Sequence, residues 1–96
     1  MSLRFEWHEY KAASNSRKHG VTFYEASTVF SDPLAVIFDD EEHSRDEVRE
    51  VVIGHSALRR LLLVSFTERG ESLVRIISAR KATPRERRDY EEGTRT

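Results

Sequence analysis

Six basic residues stand between positions 75 and 88 (Arg75, Arg80, Lys81, Arg85, Arg87 and Arg88), with Glu86 the one acid among them. Arginine carries a planar fork of donors that matches phosphate oxygens, and lysine adds a compact charge. The chain sets these cations where a strand should give way to a helix. Val74-Arg75-Ile76-Ile77-Ser78-Ala79-Arg80 is rich in β-branched residues, as a half-buried strand is. After the hinge Lys81-Ala82, Thr83-Pro84-Arg85-Glu86 has the form of a capping box: Thr83 at the N-cap, Pro84 at the first helical position and Glu86 at the third. The helix over 85–92 has almost no apolar face, so core packing does not explain its composition. Arginines in its first turns oppose the helix dipole, whereas the free N–H groups of such an end suit a phosphate. Residues 73–92 therefore read as an anion-binding, RNA-binding site.

RNA cleavage needs a base for the 2′-OH, an acid for the 5′ leaving oxygen, and cations for the charge gathering on phosphate. His19 supplies an imidazole, the side chain that exchanges protons near neutral pH. It equally suits the last turn of a helix, where a cation meets the dipole. Arg69, Arg80, Arg87 and Arg88 offer forked donors to phosphate oxygens. Trp7 or Tyr90 offers a ring on which an unpaired base can stack, although a tryptophan also suits a core. Arg75 has an ordinary alternative in an ion pair with Glu50 or another carboxylate across the sheet.

Other chemistries find little support. His8, His19, His43 and His55 have no HxxxH or similar spacing, and Asp39-Asp40-Glu41-Glu42 lacks the glycine and alternate-residue pattern of a calcium loop. No metal or cofactor is expected. The chain has no cysteine, so it holds no disulfide and no cysteine-ligated zinc, which is compatible with a reducing compartment. GxSxG, GxGxxG and P-loop patterns are absent. The 96 residues suit one domain, 1–96. No run approaches the ~20 apolar residues of a membrane span and no basic-then-apolar leader opens the chain, so a cytoplasmic protein away from membranes is expected.

The net charge of −1 conceals a division. Residues 37–58 carry seven acids against Arg45 and Arg49, for −5, and residues 59–96 carry ten bases against six acids, for +4. A local field, rather than the total, steers an anionic ligand. The acidic run reads as a solvated surface.

The elements that must position these groups begin with a strand over 3–7, with Phe5 and Trp7 inward. A helix over 9–19 follows, with small packing positions at Ala12, Ala13 and Ser16, stopped by Gly20. Thr22-Phe23-Tyr24-Glu25 is a second capping box, opening a helix with Phe23, Ala26, Val29 and Phe30 on one face and ended by Asp32-Pro33. The apolar run 34–38 reads as a strand buried on both faces, 39–47 as a loop, 48–53 as a strand stopped by Gly54, and 60–67 as the central strand. Residues 68–71 form a hairpin turn in which Gly70 takes positive φ, before the strand over 73–80. The order β-α-α-β-β-β-β-α defines an α+β fold with one antiparallel or mixed sheet and helices largely on one side.

Several of these blocks together resemble the BrnT toxins over nearly the whole chain. They are Phe5-Glu6-Trp7, Lys11-Ala12, Asn15, Lys18-His19-Gly20-Val21-Thr22-Phe23 and Asp32-Pro33, then Thr67-Glu68-Arg69-Gly70, Ile77-Ser78-Ala79-Arg80-Lys81-Ala82-Thr83 and Glu86-Arg87-Arg88-Asp89-Tyr90. The resemblance implies a RelE-like fold and a ribonuclease toxin of a type II toxin–antitoxin pair that cleaves RNA without metal and arrests translation. It implies a DNA-binding BrnA-like antitoxin that neutralises the toxin in a heterotetramer and alone brings it to operon DNA. The family's functional arginines match Arg69, Arg80 and one of Arg87 and Arg88. Lys18 or His19 is expected to move protons or place the phosphate. Many relatives carry Asp where His8 stands, so the first helix should start without a good N-cap. Two rival classes use the same basic face: a module that binds RNA without cutting it, and an interaction protein that docks an acidic partner segment.

Overall fold

A computed structural model describes residues 2–93. Its elements are β1 (Arg4–Glu6), α1 (Glu9–His19), α2 (Phe23–Thr28), β2 (Val36–Asp39), β3 (Glu50–His55), β4 (Leu61–Gly70), β5 (Leu73–Lys81) and α3 (Pro84–Gly93), with 3₁₀ turns at Val29–Ser31 and Glu41–His43. The five strands make one mixed sheet in the order β1-β5-β4-β3-β2, in which only the β1–β5 pair is parallel. The expected α+β order holds throughout, and β4, almost wholly apolar from Leu61 to Phe66, is the central strand.

Strand alternation separates two faces. Leu62, Val64 and Phe66 of β4, with Val52, Val74, Ile76 and Ala79, meet Val21, Phe23, Ala26 and Val29 from the α1–α2 side in the main core. Phe5 stacks against Phe30 at 5.2 Å, and Trp7 lies edge-on to Phe23 and Tyr24. Trp7 is thus a packing residue. The opposite face carries Ile53 and Leu61, and there α3 sets down Tyr90, which is buried among them with Leu63 and Ala82 alongside. The Tyr90 hydroxyl donates to Asp32 Oδ2 (3.4 Å) and to the Leu34 carbonyl (3.3 Å), so this ring too serves packing. Two of the three helices, α1 and α2, therefore share one side of the sheet, and α3 alone lies on the other.

The helix ends follow the chain's own signals. Gly20 takes φ +67° and its N–H bonds to the Ser16 carbonyl (2.9 Å), which stops α1 where a side chain would be strained. His8 sits at the N-cap of α1 and makes no capping bond with its side chain. Thr22 caps α2 by accepting from the Glu25 N–H (3.0 Å), but the Glu25 carboxylate does not return to close the box. It accepts instead from Ser56 Oγ (2.7 Å) and from the Arg60 guanidinium, tying α2 to the entry of β4.

Three expected boundaries move. The run 34–38 is not buried on both faces: β2 is an edge strand paired only with β3, and Val36, Ile37 and Phe38 are 46%, 53% and 47% exposed. Gly54 lies inside β3 rather than ending it. A Cβ there would come within 2.9 Å of the Ala35 Cβ and 3.0 Å of Asp32 Oδ2, so the glycine admits the close approach of the 32–35 segment. Gly70 ends β4 without positive φ. An irregularity between Glu68 and Gly70 carries the pairing on to Leu73, which shifts the turn to Glu71-Ser72 with Ser72 at φ +61°.

Candidate active site

β1 pairs only with residues 73–75 of β5, so the upper edge of β5 has no strand beside it. Asn15 takes the strand's place. Its Nδ2 donates to the carbonyls of Ala79 and Val21, both at 2.9 Å, and its Oδ1 accepts from the Ala79 N–H at 3.1 Å. The last turn of α1 is thereby clamped against the edge of β5, and Lys18 and His19 reach past that edge towards the open face of the sheet. Arg60 holds the turn from its other side, donating to the Gly20 carbonyl (2.9 Å).

Across that face a groove of ≈ 530 Å³ opens. Two rows of register partners form its floor: Phe38 of β2, Val51 of β3, Ser65 of β4 and Ser78 of β5 in one, and Leu63 of β4 with Arg80 of β5 in the next. Lys18 and His19 stand on one wall, and Asp39, Asp40 and His43 line the other. The acidic run is therefore more than a solvated surface, since part of it faces the cations. Among the described residues no group of three or more His, Cys, Asp or Glu side chains is placed to hold a metal ion.

Arg80 is 41% exposed, and its orientation comes from α3. Glu86 accepts from Arg80 Nη1 (2.8 Å) and Nη2 (2.9 Å) in a two-point pair. The same carboxylate closes the expected capping box, accepting from the Thr83 N–H (2.8 Å) while Thr83 Oγ1 accepts from the Glu86 N–H (3.1 Å). Helix start and arginine are thus fixed by one side chain. Glu86 uses the end of the guanidinium, so the side-on fork of Nε–H and the second Nη2 proton is left for a ligand.

The Arg80 guanidinium, with help from the Thr83 N–H and against the cost of partial burial, holds the Glu86 carboxyl at about 2. A folded-state value below the ordinary 4.5 stabilises the fold above pH 4.5, and that contribution is lost as pH falls through the window down to about 2. The melting temperature is expected to fall across this window. A Glu86→Gln variant keeps the reach-back to the Thr83 N–H but loses the charge pair, so it should be only about 0–1 kcal/mol less stable at pH 7 and show a smaller acid loss, read by thermal melts at several pH values.

The other arginines lie elsewhere. Arg69 is six positions beyond Leu63, the β4 partner of Arg80, or roughly 20 Å along the strand. It pairs there with Glu47 (3.3 Å) and lies 3.8 Å from Glu6. Arg75 pairs with Glu6 at 2.9 Å, the ordinary cross-sheet role the sequence allowed. Arg87 and Arg88 are exposed on α3 and do not line the groove. The structure thus gathers Lys18, His19 and Arg80, and leaves Arg69, Arg87 and Arg88 outside. Sequence reading missed Asn15 as a clamp and Asp40 and His43 as a wall. An amide on the inner side of a helix was the available sign for Asn15; nothing in the acidic run marked the other two.

The class defined by this arrangement is an α+β protein whose mixed sheet carries a cation-walled groove opposite its two N-terminal helices. Residues 7–86 match the family model of BrnT, the ribonuclease toxin of a type II toxin–antitoxin system. The chain belongs to the BrnT toxin family. Its fold is similar to that in the 1.1 Å crystal structure of the Brucella abortus ribonuclease toxin, BrnT, with a TM-score of 0.65 and 25% sequence identity over 85% of this chain and 99% of that one. Comparison with curated proteins gives no match. No helix among the described residues is long and apolar enough to cross a membrane.

Proposed function

We propose that this chain is an endoribonuclease toxin that cuts RNA phosphodiester bonds by side-chain chemistry without a metal ion and so arrests translation in the cytoplasm. The observation that carries this reading is the convergence of Lys18, His19 and Arg80 on one open groove. Arg80 binds the scissile phosphate through its free fork, and Lys18 or His19 supplies a proton or places the phosphate. Arg87 or Arg88 holds RNA from the rim of α3, and Arg69 assists by meeting a more distant phosphate of the same strand. A DNA-binding BrnA-like antitoxin neutralises the toxin in a heterotetramer, and operon DNA is reached only through it. Membership of a type II toxin–antitoxin family supports this partner.

Induced expression in bacteria, alone and beside the adjacent small open reading frame, tests the reading. Growth arrest with RNA cleavage, relieved by the neighbour, is the expected result, and the purified chain should cut RNA in excess EDTA. Healthy cells holding abundant folded protein and intact RNA would overturn it in favour of a binding module.

A further inference from the structure

The groove described above has two walls of different character, and the wall built by the acidic loop carries an imidazole. His43 Nδ1 lies 3.0 Å from both Asp40 Oδ1 and Oδ2. The segment holding this pair is itself closed. The Asp40 N–H donates to the Arg49 carbonyl (2.9 Å), Ser44 Oγ donates to the Asp40 carbonyl (2.7 Å), and the Arg49 N–H donates to Ser44 Oγ (2.8 Å). In the neutral ring, a carboxylate beside Nδ1 favours the tautomer with its proton on Nδ1, so that Nε2 is the nitrogen that can accept one. The His43 side chain is 60% exposed and shares the groove with Lys18, His19 and Arg80.

We infer that His43, oriented by Asp40, is the general base of this groove, acting across the bound phosphate from the Lys18–His19 wall. The inference rests on the ribonuclease reading and deepens it. His43 Nε2 takes the proton of the 2′-OH as O2′ bonds to phosphorus. The P–O5′ bond breaks, its electron pair stays on O5′, and O5′ takes a proton from Lys18 or His19. The products are a 2′,3′-cyclic phosphate and a 5′-hydroxyl. Arg80 stays on the phosphate oxygens throughout. His43 is thus a catalytic residue and Asp40 a positioning residue.

His43 lines two hollows, one on each side of its loop, and shares them with several charged groups. Within the groove they are Asp39 of β2, Lys18 and His19 of α1 and Arg80 of β5. On the outer side of the loop they are Glu42, Arg45, Asp46, Glu47 and Arg49. His19 is a second imidazole, so the test compares the two histidines.

The experiment measures cleavage of a short synthetic RNA by the purified wild type and by His43→Gln, His43→Ala and His19→Gln variants across pH. His43→Gln is expected to lose about 10²–10⁴-fold in kcat with little change in KM, and with it the decline in rate on the acid side of the profile. Free imidazole should partly restore cleavage by His43→Ala, which a purely structural histidine would not allow, and His19→Gln should keep the acid-side decline. Asp40→Asn should lower kcat less than His43→Gln does. Wild-type cleavage undiminished in His43→Gln would overturn the inference and leave the ribonuclease reading standing. A folded wild type that cuts no RNA would overturn both.

Discussion

Replacing Arg80 with alanine is expected to lower RNA cleavage by ~10²–10³-fold, the usual scale for losing one preorganised donor to a developing oxyanion. The protein should stay folded. The Arg80–Glu86 pair is substantially exposed, and such pairs contribute only ~0–1 kcal/mol, while the Thr83–Glu86 capping bonds persist without the arginine. Arg80→Lys keeps the charge but loses the fork that lets one guanidinium hold Glu86 and a phosphate together, so its activity should be intermediate. Cleavage rates set beside thermal melts check both halves. Undiminished cleavage by a folded Arg80→Ala variant would remove this residue from the site.

Asn15→Ala should have the largest effect on stability and should damage the site as well. The amide makes three hydrogen bonds from a buried position, two of them to backbone groups at the unpaired edge of β5. Alanine leaves those groups buried without partners, at a cost of about 2–4 kcal/mol. For a chain of this size that lowers the melting temperature by roughly 10–25 °C. At temperatures where the variant is still folded, cleavage should also fall, because this clamp ties the turn that carries Lys18 and His19 to the edge of β5, leaving only Arg60 to hold it from the other side. Asn15→Asp keeps an acceptor for the Ala79 N–H but loses both donors, and its carboxylate would face two carbonyl oxygens. It should be at least as unstable as the alanine variant. A melt within a few degrees of wild type for Asn15→Ala would show that α1 is held by packing alone.

These two positions also mark how far a reading of the residues reaches. Arg80 was legible because cationic density at a strand–helix junction has no packing explanation, and the Thr83-Pro84-x-Glu86 pattern announces its own hydrogen bonds. Helix α1 was legible to the residue because Gly20 is a local stop. Asn15 was not legible in the same way. Its partners at Ala79 are 64 positions away, and the need for it arises only because β1 is too short to cover the upper edge of β5.

The same division runs through the rest of the chain. Local chemistry determined the element order, the apolar central strand, both N-caps and the cationic junction, since each depends on neighbours within a few residues. Tertiary structure alone decided which side each element covers and which distant groups meet. It put the apolar run at Val36–Asp39 on an exposed edge, since strand order is settled by pairing rather than by composition. It turned the Glu25 carboxylate away from its own helix to Arg60, because a cation 35 residues on lies closer than the cap it could have closed. It separated Arg69 from Arg80 along the sheet and set Asp40 and His43 opposite Lys18 and His19. Proximity across a sheet depends on register, and register emerges only when every strand is paired.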